Sequence, residues 1–282
     1  MILNIKSQLP PNVKLLANWV GWFQSQDGTK HRPGIYNSLD PAIIRAQVRS
    51  AHAVGIDGFV ADWYGQDAEP INSASLLMAN ELQDQGMEFS IMLDAGEFKW
   101  NNVDLQTKLN LLMKGLHYVE DHFMVMPNYS QIAGKHLLWE FGWGDQGISP
   151  GVIQLANKDL LIMQQNKTDI GTTASFGWVD GFGSLLAPQV YVHSYLARTD
   201  PVMIPPLFDQ FDDHNLKMPT QSVWGGPARK IASGQWQMCL DLINAAWKAG
   251  KRFPAVMIDT WNDYEEGTAI EAQAFKLIGF VP

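Results

Sequence analysis

Among its 282 residues the chain has a single cysteine, Cys239. One thiol excludes an internal disulfide framework and any cysteine-based zinc centre. It falls in an apolar helical pattern with no base nearby, so a buried, inert thiol is expected. Positive charge is scarce as well. There are 20 Lys and Arg against 29 Asp and Glu, a net charge of −9, and no basic cluster beyond the Arg229-Lys230 pair. Nucleic-acid backbones are held by clustered cations, so that partner class is excluded. No apolar run approaches the roughly 20 residues of a membrane span. The N-terminus, "MILNIKSQLPPNVK", lacks the apolar stretch of a signal peptide. The expectation is a soluble protein without a membrane partner, cytoplasmic if the chain is complete. G-x-S-x-G, H-E-x-x-H and P-loop motifs are all missing, and "GFGS" (181–184) lacks a strand-to-helix context. No cofactor is expected.

What the chain does have is 46% hydrophobic residues and 11 Trp. Apolar runs alternate with helical patterns from end to end. "KLLANWVGWF" (14–23) reads as a first strand. In "SLDPAIIRAQVRSAHAVG", Asp40 is the expected N-cap, Pro41 the first helical residue and Gly55 the stop. Further strands are read in "IDGFVADWYG", "MEFSIMLDAGEF", "KHLLWEFGWG", "DLLIMQQN", "TTASFGWVDGF", "DPVMIPPLFDQ" and "FPAVMIDTWND". In the seventh, Pro205 and Pro206 are expected at the strand's end. Eight strand signals with helices between most of them imply parallel βαβ units. At this length the economical architecture is an α/β fold, a single-domain (β/α)8 TIM barrel over residues 1–282. A doubly wound open sheet is the alternative.

In such barrels the functional face lies at the C-terminal ends of the strands. The residues expected there are Asn18 and Trp19, Asp62 and Trp63, Asp94 and Glu97, Glu140 and Trp143, Asp180, Asp209, then Asp259, Asp263 and Glu266. Together they would form an acidic pocket ringed by indole faces, a match for neutral polyhydroxylated ligands. Glycosidic bonds are commonly cleaved by two carboxyl groups in unequal environments. Asp263 and Glu266, three apart in "TWNDYEEGTAIEA", would project to one side of a helical turn. The plainer reading is a solvent-exposed turn. Glu140, between Trp139 and Phe141, reads equally as a raised-pKa acid or a buried residue bonded to backbone. His193, in "YVHSY", is placed on a strand or loop near the pocket, with a core or sugar-binding role. His193 or His214, each with a neighbouring Asp, would serve a weaker metal-dependent reading. No metal is expected.

The stretch Trp261-Asn262-Asp263-Tyr264-x-Glu266-Gly267-Thr268-x-Ile270-Glu271 resembles the eighth-strand signature of glycoside hydrolase families 71 and 99 and their bacterial relatives. "YNSLDP" (36–41), "AHAVGIDGFVADWYG" (51–65) and "MPNYSQIAGKHLLWEF" (126–141) look like other parts of the same group. The resemblance implies a (β/α)8 barrel acting on α-linked glucans or mannans. It carries the catalytic pair over to Asp263 and Glu266. Family 71 is associated with inversion and family 99 with retention through the substrate's own 2-hydroxyl. Asp263 matches the former family's residue. Two positions depart from the pattern: Glu265 adds a third carboxylate, and Ala272 replaces a frequent Pro. The expected substrate contacts are Trp19, Asp62, Trp63, Asp94, Glu140, Trp143, His193, Asp209, Trp261, Asn262 and Tyr264. The partner is an oligo- or polysaccharide. A carbohydrate-binding barrel without activity stays open as the alternative.

Overall fold

A computed structural model of the chain describes residues 4–23, 36–95, 103–179, 187–212 and 230–282. The expected site residues Glu97, Asp180 and His214 lie outside the described residues, as does the "GFGS" stretch.

Eight strand crossings form a parallel barrel: β1 (Lys14–Val20), β2 (Gly58–Trp63), β3 (Glu88–Asp94), β4 (Lys135–Phe141), β5 (Leu160–Gln165), β6 (Ala174–Phe176), β7 (Val202–Ile204, resuming at Pro206–Leu207) and β8 (Ala255–Ile258). Each pairs in parallel with the next, and β8 returns to β1 through Lys14 opposite Ala255. The ring closes through β7. Its first half pairs with β6 and its second half with β8. Proline carries no N–H, yet Pro205 and Pro206 sit inside this crossing rather than at its end. The seam asks the crossing for carbonyls: Gly177 N–H donates to the Ile204 oxygen at 2.9 Å, Met257 N–H to Pro205 at 3.0 Å and Asp259 N–H to Leu207 at 3.0 Å. Gly177 also keeps the walls close, since a Cβ there would lie 2.3 Å from Pro206 Cδ.

The helices are α1 (Pro41–Ala53), α2 (Ile71–Asp84), α3 (Leu105–His122), α4 (Pro150–Ala156), α5 (Pro188–Ala197), α6 (Trp236–Lys248) and α7 (Glu271–Leu277). α1 starts as its sequence dictates, with Asp40 Oδ1 accepting from Ala42 N–H at 2.8 Å and Pro41 as first helical residue. Gly55 ends it at φ +88°, a left-handed conformation suited to glycine. No helix intervenes between β5 and β6, where a turn serves. None of the helices among the described residues is long and apolar enough to cross a membrane.

Side chains alternate across each strand, so the barrel has two apolar shells. Leu16, Val60, Met92, Trp139, Met163, Phe176 and Met257 fill the inside. Leu15, Ala17, Trp19, Phe59, Trp63, Leu93, Val256 and Ile258 face outward into the helix layer. This parity decides what reaches the C-terminal rim.

Candidate active site

Continuing the inner row on β1 to β3 leads from apolar residues to Asn18, Asp62 and Asp94. Two residues past the inner Met257, at the exit of β8, comes Asp259. These four are 1%, 8%, 6% and 0% exposed. Asn18 Nδ2 donates to the Val60 carbonyl at 3.4 Å, and Tyr64 donates its hydroxyl to Asp62 Oδ2 at 3.1 Å. Asp259 Oδ2 accepts from Val179 N–H at 2.8 Å, tying the β6 exit to β8. Burial pushes the carboxyl groups of Asp62 and Asp259 well above the ordinary range.

Beyond Asp259 the chain turns off the sheet under tight control. Trp261 N–H donates to the Asn18 carbonyl at 2.7 Å. Asn262 then completes the β8–β1 seam with its side chain: Oδ1 accepts from Val20 N–H at 2.8 Å and Nδ2 donates to the Val20 carbonyl at 2.9 Å. Asp263 follows, its N–H on Thr260 Oγ1 at 2.9 Å. Its Oδ1 accepts from Glu265 N–H at 2.9 Å and Glu266 N–H at 3.0 Å. The carboxylate thus organises the turn that brings Glu266 back over it, the geometry of an Asx turn. Glu266 is half-buried, and its carbonyl accepts from Asp212 N–H at 2.7 Å. The convergence shows in the electrostatics of Asp62. After burial, negative charge on Asp94, Asp263 and Glu266 raises it further, while the Tyr64 hydrogen bond opposes. Acids from β2, β3 and the loop after β8 share one field.

A second carboxylate holds that loop from behind. Glu271, fully buried at the start of α7, accepts hydrogen bonds from Gln47 Nε2 (2.5 Å), Tyr36 Oη (2.8 Å), Tyr264 Oη (2.8 Å) and Trp261 Nε1 (3.1 Å). Gln47 Oε1 in turn accepts from Trp19 Nε1 at 3.2 Å, and Asn262 Nδ2 donates to Tyr36 Oη at 3.0 Å. Most of the signature residues around Asp263 therefore serve as a clamp.

This placement corrects several expectations. Trp19, Trp63, Trp143 and Trp261 are all 0% exposed and bonded through their ring N–H groups, so none offers a face to a sugar. Their parity is the reason: Trp19 and Trp63 each follow an inward residue and so point outward. Asn262 is spent on Val20 and the Tyr264 hydroxyl on Glu271. Asp209 Oδ1 accepts from Gly234 N–H at 3.0 Å and Trp236 N–H at 3.4 Å, steadying the start of α6. His193 lies on the exposed side of α5, neither strand nor loop. Glu140 bridges two strand exits, accepting from Gln165 N–H at 2.9 Å and Trp143 N–H at 3.3 Å. Burial pushes its carboxyl up to about 7.

Alternation instead brings other aromatics toward the opening. Tyr64 follows Asp62 by two positions and stacks on Trp22 at 5.9 Å and 16°. Phe141, two beyond the inner Trp139, meets Trp178 edge-on at 5.1 Å. The period of two was the signal that could have found them. Among the described residues no group of three or more His, Cys, Asp or Glu is arranged to hold a metal.

No protein-family profile matches this chain, and no curated protein does. Solved structures do. A GH99 endo-α-mannosidase from Bacteroides thetaiotaomicron, in complex with bis-tris propane, superposes with a TM-score of 0.66 at 17% identity, over 93% of this chain and 87% of that one. A second structure of a GH99 endo-α-mannosidase from that organism gives 0.65 at 16%, over 91% and 87%. A glycoside hydrolase-like protein gives 0.63 at 14%, over 92% and 86%. The likeness is one of fold. The chain has the (β/α)8 architecture of these proteins across almost its whole length.

Proposed function

We propose that the chain is a glycoside hydrolase that cleaves α-linked mannan or glucan at the C-terminal mouth of the barrel. What supports this reading is the placement of Asp62 and Asp94 on the inner row at the ends of β2 and β3. The Asp263 turn brings Glu266 in on the loop after β8, close enough that the charges of Asp94, Asp263 and Glu266 raise the Asp62 carboxyl. Paired carboxyl groups in unequal settings are what glycosidic cleavage requires. Glu266, half-buried, is the general acid that protonates the leaving oxygen. Asp263, with two main-chain N–H groups on Oδ1, suits the negative partner, base or nucleophile. The endo-α-mannosidase activity named for two solved structures of the same fold favours mannosides among the α-linked substrates.

The test is a screen of α-linked manno- and gluco-oligosaccharides with anomer-resolved NMR detection of products. Wild type should hydrolyse at least one. Asp263→Asn and Glu266→Gln should each lose turnover by about 10²-fold or more while still binding the sugar. Binding without turnover by the wild type would favour an inactive carbohydrate-binding barrel.

A further inference from the structure

Asp62 has one satisfied oxygen and one orphan. Tyr64 holds Oδ2, but Oδ1 is buried and has no hydrogen-bond partner. An unmet buried polar atom is costly, so one that persists beside a site calls for an explanation. The neighbouring Asn18 repeats the pattern: Nδ2 is bonded to Val60, while Oδ1 is buried and unpartnered. Both stand on the inner row at the exits of adjacent strands, beneath the loop that carries Asp263 and Glu266. Glu140, at the exit of β4, is by contrast met on both oxygens by Gln165 and Trp143, whereas Asp259 at the exit of β8 keeps its buried Oδ1 unpartnered as Asp62 does.

We propose that Asp62 is a specificity-determining residue, whose Oδ1 hydrogen-bonds one hydroxyl group of the sugar that lies against Asp263 and Glu266. The inference rests on the glycosidase reading and deepens it: it names a sugar contact that does no bond-breaking. The charged and titratable groups facing Asp62 are Tyr64 from its own strand exit, Asp94 from β3, and Asp263 and Glu266 from the loop after β8. Three of these four are acids, and together with burial they push the Asp62 carboxyl toward its neutral form. A neutral carboxyl can donate its proton to a hydroxyl oxygen and leave that hydroxyl free to donate elsewhere. An ionised carboxylate can only accept. Recognition through Asp62 is therefore strongest in acid and declines as pH rises through its raised titration point.

Kinetics and calorimetric binding with α-linked mannobioses and glucobioses, and with their mono-deoxy derivatives, test this in wild type, Asp62→Ala and Asp62→Asn. Asp62→Ala should raise KM by about tenfold or more and change kcat by less than about threefold. One mono-deoxy sugar should bind wild type more weakly by a similar factor, and Asp62→Ala should no longer discriminate it. Asp62→Asn keeps a donor and an acceptor, so its KM should match wild type in acid and stay flat where wild type rises with pH. A merely structural role would lower stability without erasing discrimination of a single hydroxyl. If wild type acts on these sugars and Asp62→Ala still distinguishes every deoxy derivative as wild type does, the assignment to Asp62 falls and the glycosidase reading stands. If wild type neither binds nor cleaves any of them, both fall.

Discussion

The carboxyl group of Glu271 gives the sharpest quantitative test of the clamp. It is fully buried and takes four hydrogen bonds, from Gln47, Tyr36, Tyr264 and Trp261, yet burial outweighs them and pushes it from 4.5 up to about 7. An acid raised on folding favours the folded state in its protonated form. That contribution is fully present below pH 4.5 and is lost as pH climbs through about 7. Between pH 5 and pH 8 the loss amounts to about 2.5 kcal/mol. Glu271→Gln removes the titration but keeps an acceptor oxygen among the same donors, so the variant should be less stable than wild type by about 1–3 kcal/mol at pH 5. The gap should then close by about 2.5 kcal/mol at pH 8, whatever other groups titrate, because those are common to both proteins. Urea denaturation at the two pH values reads this directly, and thermal midpoints should converge by roughly 5 °C. A gap independent of pH would mean that Glu271 is not held in the raised state. A gap that widens would reverse the sign of the argument.

Other outcomes follow from the same contacts. Asn262→Ala strips partners from both the N–H and the carbonyl of Val20, and should cost about 2–4 kcal/mol in denaturant unfolding. Gly177→Ala sets a methyl group 2.3 Å from Pro206 Cδ and should lower stability by about 1–3 kcal/mol, read as a lower urea midpoint at unchanged slope. Cys239 is buried, its thiol pushed up to about 12, so it should resist a disulfide-exchange reagent in the folded protein and react once per chain in denaturant.

Much of this architecture could be read from residue order. Each parallel strand is an apolar run closed by polar or turn-forming residues, and α1 announces both ends through Asp40, Pro41 and Gly55. The helix at 188–197 was harder: "PQVYVHSYLA" is rich in β-branched and aromatic residues, a pattern that suits a strand, and tertiary packing of Val192, Tyr195 and Leu196 overrides it. The seventh crossing was misjudged at Pro205 and Pro206 because a sequence does not show which strand neighbours request donors. Asp62, Asp94 and Asp259 stand at strand ends as read, whereas Glu140 and Asp209 are taken up by backbone N–H groups and the indole neighbours were misread. Adjacent residues on a strand face opposite sides, so an inward Asp62 sends Trp63 into the helix layer, where it stacks on Tyr118 at 5.7 Å. The four-donor cradle of Glu271 joins residues from 36 to 271, a separation no local pattern reveals.

The side chain of Asn262 does work ordinarily given to backbone, and this has a consequence for how the loop could diversify. Because an amide group fastens the last rung to Val20, the main chain is released from the sheet at that rung and can rise over the opening within a single residue. Substitutions at Glu265, which lies outside the Glu271 cradle, could then alter the rim of the barrel while Asn262 keeps Asp263 anchored to its wall.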